Sequence, residues 1–122
     1  MSEKLAQLKK KGGSGGTDFR EYYAGVAYNS TNHTVSVSGT TKGTSIKYLG
    51  TADRATPTPT ATITVNGTTT NLTNIYTSSE SSYGKGYVWQ GEIACEVGVP
   101  FSATITNRCE KNMDVTSLAV FA

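Results

Sequence analysis

From Phe19 onward the chain alternates apolar and polar positions with a period of two. That period marks a strand with one face on a core and the other in water. Phe19 to Tyr28 sets Tyr22, Ala24, Val26 and Tyr28 on one face, which is expected to point inward. After a turn cluster at Asn29-Ser-Thr-Asn32, the stretch Thr34 to Ser38 turns Val35 and Val37 inward. A turn from Gly39 to Gly43 leads to a third strand, with Ile46 and Tyr48 inward and Lys47 outward. Gly86 to Val97 is the strongest strand, with Tyr87, Trp89, Gly91, Ile93, Cys95 and Val97 on one face. Gly98-Val99-Pro100 turns the chain. Phe101, Ala103 and Ile105 then carry the apolar face, while Ser102, Thr104 and Thr106 lie outside. Val115 to Ala122 closes the domain with Leu118 and Val120 on one side, its last residues packed.

Between these strands lies the clearest local signal. Ala61 to Val65, Asn66-Gly67 and Thr68 to Leu72 spell a hairpin with a type I′ turn, because Asn-Gly tolerates two positive φ angles in succession. Ile63 and Val65 should face inward. Residues 49 to 60 hold Pro57 and Pro59, which cannot donate to a ladder, so an exposed loop or an edge segment is expected there. Asn74 to Lys85 is polar and rich in Ser and Gly, the composition of a second loop. The pattern predicts an all-β domain over residues 17–122, with seven to eight short strands in an immunoglobulin-like or jelly-roll sandwich. A small barrel is the alternative.

Residues 1–16 follow a different rule. Met1, Leu5 and Leu8 recur at helical spacing, Ser2 can cap the first turn, and Lys9, Lys10 and Lys11 fall in the last turn, where cations are favoured. Gly12 to Gly16 (GGSGG) forms a hinge. The pattern predicts a short basic helical arm. A helix of about ten residues is marginal alone in water, so it orders only when Leu5 and Leu8 bury against a partner. A solvated tail and an engineered linker at Gly12–Gly16 are the competing readings.

Charge divides along the same boundary. The arm carries four lysines and one glutamate, net +3, and the remainder is net −1. A basic arm on a nearly neutral domain suits an acidic protein groove, a nucleic acid backbone or an anionic surface. Lys42, Lys47, Arg54 and Lys85 are scattered over the domain, which gives no basis for sequence-specific nucleic-acid readout. No apolar run approaches the ~20 residues of a membrane span, and no secretory leader is recognised. Charged residues are only 16%, and Thr, Ser, Gly and Asn take their place, which again favours strands and turns.

Candidate chemistry is sparse. The single histidine, His33, falls in a turn cluster and reads as a solvated polar residue. One His and two distant Cys assemble no zinc site, no nucleophile elbow is present, and no cofactor motif appears. No catalytic residue is assigned, and an enzyme is not expected. If Gly98-Val99-Pro100 closes a hairpin, Cys95 lies near Ala103 and Cys109 near Trp89. That is about 20 Å along a ladder and beyond disulfide reach, so both thiols are expected to be free. Four Asn-x-Ser/Thr triplets, at Asn29, Asn32, Asn66 and Asn71, read as turn and strand chemistry. Carbohydrate binding is the functional alternative, because an exposed ring can cover the apolar face of a sugar. Its candidates are Tyr76 and Tyr83 in the polar loop and Tyr23 on the outward side of the first strand.

The basic arm (Ser2 to Lys11), the glycine hinge (Gly12 to Gly16) and the Thr/Gly-rich sandwich (Thr17 to Ala122) together resemble the small accessory proteins of tailed-bacteriophage virions, such as capsid decoration proteins and head-fibre bases. The resemblance is one of organisation along the whole chain. It implies a non-enzymatic structural protein, assembled in the host cytoplasm and located on the virion. Such a protein docks on capsid or tail proteins through Leu5, Leu8, Lys9, Lys10 and Lys11. It also implies contact with copies of itself and with host-surface glycans.

Overall fold

The computed structural model describes residues 19–28, 32–56, 58–79, 84–109 and 114–122. The arm with Leu5, Leu8 and Lys9 to Lys11, the glycine hinge and Tyr83 lie outside the described residues. Among those described, the chain forms nine strands and no helix. They are β1 Tyr22–Tyr28, β2 Asn32–Thr40, β3 Ser45–Ala55, β4 Thr60–Val65, β5 Thr68–Asn71, β6 Asn74–Thr77, β7 Lys85–Ala94, β8 Pro100–Arg108 and β9 Val115–Phe121. A five-stranded antiparallel sheet runs β1-β9-β3-β7-β6, and a four-stranded one runs β2-β8-β4-β5. The two pack over one core in a sandwich-like arrangement.

That core is the product of alternation. Val35 and Val37 from β2, Ala61 and Ile63 from β4, and Phe101, Ala103 and Ile105 from β8 meet Ile46 and Tyr48 from β3, Trp89 from β7, and Leu118 and Val120 from β9. Each is buried, as the apolar i, i+2 pattern requires. Fully burying one such side chain contributes roughly 1.5–3 kcal/mol. The β4–β5 hairpin forms as its sequence demands, with Asn66 at φ 49° and Gly67 at φ 86°. The amide of Asn66 also donates to the carbonyl of Pro100, tying the turn to the start of β8.

Four expectations are corrected. First, β1 faces the other way: Tyr22, Val26 and Tyr28 are exposed, and Tyr23, Gly25 and Ala27 turn inward. The reason is space, since a Cβ at Gly25 would sit only 3.0 Å from Val35 Cγ1, so the inner side admits small residues. Second, β3 continues to Ala55 and β4 starts at Thr60, so most of the supposed 49–60 loop is strand. Arg54 supplies a positive φ of 60° near its end, next to the register shift between Ala52 and Ala55. Third, Asn74–Thr77 is a short edge strand on β7 and not loop.

Fourth, β7 and β8 do not form a hairpin. They lie in different sheets, so Cys95 is not opposite Ala103 and Val97 is exposed in the connection. Thr41 holds that connection. Its buried hydroxyl donates to the Glu96 carbonyl (2.6 Å) and accepts from the Val99 amide (3.0 Å). Both cysteines are nonetheless free thiols, as expected.

Two stability changes follow. Gly67→Ala meets no steric contact but forces an L-residue to φ 86°, and should lower unfolding free energy by about 1 kcal/mol in urea titrations. Ile105→Ala removes a fully buried side chain at the centre of both sheets and should cost about 3–4 kcal/mol.

Candidate functional site

Strand register places the outward side chains of the five-stranded sheet in rows. Tyr22, Phe121, Lys47 and Glu92 form the first row, and Ala24, Ala119, Leu49 and Gln90 the second. Val26, Ser117, Thr51, Val88 and Tyr76 form the third, and Tyr28, Val115 and Asp53 the fourth. The two alanines of the second row make a trough between the taller side chains of the rows beside it. A depression of about 320 Å³ lies there, lined by Tyr22, Ala24, Val26, Leu49, Ser117 and Ala119. A second, of about 210 Å³, adjoins it at Tyr22, Phe121, Lys47 and Gln90.

Among the described residues nothing covers this face, and it is largely apolar. Tyr22 is 69% exposed, Val26 61% and Tyr28 63%, with Leu49 and Val115 also exposed. A contiguous apolar surface of this kind marks an interaction site more often than bare solvent contact. Its polar groups are few and partly engaged: Ser117 Oγ lies 2.6 Å from Thr51 Oγ1. At the corner where the chain enters β1, the Arg20 guanidinium lies 4.9 Å from the centre of the Phe121 ring and donates to Ser45 Oγ, which donates in turn to Glu92.

The outer face of the other sheet is its opposite in character. Its side chains are hydroxyls that bond one another across strands, Thr34 with Thr106 (3.2 Å), Ser36 with Thr104 (2.9 Å) and Thr64 with Thr69 (2.7 Å). Such cross-strand pairs stabilise the sheet and leave its surface polar, with Arg108 as its charged side chain near one end.

The structure separates the sequence-predicted site residues. Tyr76 is 58% exposed on β6, consistent with a ring available to a ligand. Tyr23 is corrected: it is not on the outward side of β1. Its ring packs edge-on against Phe101 at 5.1 Å and over Gly39, and its hydroxyl donates to Glu21. That carboxylate, chiefly, raises the Tyr23 phenol above its ordinary value. Tyr23 and Tyr76 therefore belong to no common surface. Tyr22, which alternation assigned to the core, is instead the most exposed of the large apolar side chains identified on the domain. Only the three-dimensional spacing of β1 and β2 reveals it.

His33 is also corrected. It is not solvated in a turn but sits in β2, with its side chain 8% exposed. Nε2 lies 2.7 Å from Thr116 Oγ1 and 3.2 Å from Oδ2 of fully buried Asp114. Asn107 Nδ2 donates to the same Thr116 and Asp114 oxygens, bridging β8 and β9. Both contacts of the imidazole use one nitrogen, while buried Nδ1 has no hydrogen-bond partner among the described residues. The hydrogen bonds of this cluster tie β2, β8 and β9 together as a buried lock.

Among the described residues no group of three or more His, Cys, Asp or Glu side chains could hold a metal ion. Burial, chiefly, pushes the Cys95 thiol above its ordinary value, which keeps it a weak nucleophile. No described helix is long and apolar enough to cross a membrane. Comparison with protein-family models, curated proteins and solved structures gives no match.

The buried lock gives a direct prediction. Asp114→Ala strips His33 and Asn107 of a shared acceptor and should lower stability by about 3 kcal/mol by chemical denaturation. Asp114→Asn, which keeps an oxygen there, should cost less.

Proposed function

We propose that this chain is a non-enzymatic structural protein of a virus particle, of the capsid-decoration type. In this reading the arm, with Leu5, Leu8 and Lys9 to Lys11, docks on a capsid or tail scaffold and the sandwich sits on the shell. The strand arrangement is read as immunoglobulin-like or jelly-roll, supported by two antiparallel sheets and by successive strands β7 and β8 crossing between them.

The observation that carries the reading is the uncovered apolar face over β1, β9 and β3. The arm ends at Gly16 in the sequence, and among the first described residues Arg20 to Tyr22 form the corner of that face. In this reading the scaffold gripped by the arm also covers the trough. The lining supports a protein partner over a sugar. A saccharide brings several hydroxyls that need partners, whereas the side chains lining the larger depression offer only the Tyr22 phenol and Ser117, already bonded to Thr51.

The second reading, a glycan-binding or adhesion module, is favoured by Tyr76, whose exposed ring neighbours Asn74 on β6. The two readings separate experimentally. Removal of residues 1–16 should leave the unfolding midpoint unchanged and abolish co-sedimentation with purified virus particles. Undiminished co-sedimentation would overturn the anchoring role. Tyr76→Ala should leave particle binding intact; a loss of glycan-array signal on that change would favour the adhesion reading instead.

A further inference from the structure

The strand that bounds the apolar face also carries an open edge. Among the described residues β1 is the last strand of its sheet, with β9 on one side and no strand on the other. Glu21 and Ala122 exchange both backbone hydrogen bonds, 2.8 and 2.9 Å. Hydrogen-bonded pairs alternate along an antiparallel ladder, so Tyr23, Gly25 and Ala27 also turn their amides and carbonyls toward β9. The amides and carbonyls of Tyr22, Ala24, Val26 and Tyr28 therefore point to the open side.

Edge strands are ordinarily shielded by charge, proline, a bulge or shortness. β1 has none of these. Its seven residues, YYAGVAY, contain no charged side chain and no proline, and their register with β9 is unbroken. The outer edges β5 and β6, by contrast, are four residues each. β2, the remaining edge, turns hydroxyls outward.

The sequence of β1 is nearly palindromic about Gly25. Laid antiparallel on a second copy with the two Gly25 residues opposed, Tyr22 faces Tyr28 and Ala24 faces Val26. All four are residues whose backbone groups are open, so each such pair exchanges two hydrogen bonds. All four also carry their side chains on the outer face, where the tyrosines and the Ala–Val pairs would pack across the junction. Hydrogen bonding, side-chain facing and residue type thus agree in one register that uses the whole strand. A two-fold interface needs this self-complementarity.

We infer that β1 is a homodimer edge: two chains join β1 to β1 antiparallel about Gly25, forming one continuous ten-stranded sheet. The two apolar troughs then run together into a single surface. The inference is independent of the anchoring arm, and its test uses the full chain.

Sedimentation from about 1 to 100 µM should show a species of twice the 12.9 kDa chain mass. Amide exchange at Tyr22, Ala24, Val26 and Tyr28 should slow as that species forms. Val26→Lys, at an exposed position that leaves the core untouched, should weaken association at least about tenfold by placing like charges near the two-fold axis. Ala24→Lys, at an exposed position equally close to the axis, serves the same purpose should Val26→Lys fail to fold. Ala24→Glu should also be monomeric alone, but mixing it with Val26→Lys sets Glu opposite Lys and should restore the dimer. A wild-type chain that stays monomeric at 100 µM overturns the inference, even with those amides protected, since another segment or a foreign strand would then hold the edge. Dimers that survive Val26→Lys, or a mixture that stays monomeric, overturn it equally.

Discussion

The close approach of the two sheets at β3 and β8 is the constraint on which the rest of this molecule depends. A Cβ at Gly50 would fall 2.5 Å from Ile105 Cδ1, so the strand at the centre of one sheet meets the strand at the centre of the other with only glycine between them. Ile46, Ile105, Leu118 and Val120 fill the surrounding space to essentially zero exposure. Interiors packed this tightly do not deform continuously. The outer faces, their row spacing and the position of the trough over Ala24 and Ala119 are consequences of that fixed separation.

Each end of the sandwich is closed by a polar device instead of more hydrocarbon. At one end Thr41 satisfies backbone groups of the β7–β8 connection. At the other, His33, Asn107, Asp114 and Thr116 bond one another across three strands from both sheets. Buried polar groups that are left unmatched cost more than apolar replacements, so such networks specify one arrangement of strands where apolar contacts would accept several. Directional hydrogen bonds thus close both ends of an apolar core.

The two outer faces divide the labour. The four-stranded sheet shows water a field of hydroxyls that satisfy one another, while the five-stranded sheet shows apolar and aromatic side chains with few free polar groups. The entering chain, with Arg20 over Phe121, and the unshielded strand β1 both lie at the margin of the apolar side. The apolar face and the open edge are thereby concentrated on one half of the domain.

Alternation by itself determined much of this: the existence of β2, β3, β8 and β9, which residues of each point inward, and the Asn66-Gly67 hairpin. These are local properties, because period two and two successive positive φ angles are decided within a few residues. It did not determine the face of β1, since Tyr22-Ala24-Val26-Tyr28 and Tyr23-Gly25-Ala27 both offer apolar character. Only the nearness of Val35 selects the smaller set. Nor could it tell that β7 and β8, adjacent in sequence, lie in different sheets, or that His33 finds Asp114 eighty-one positions away. Alternation gives a strand its inner side but not its neighbour. The neighbours, and with them the trough, the open edge and the buried lock, exist only once both sheets have closed on one core.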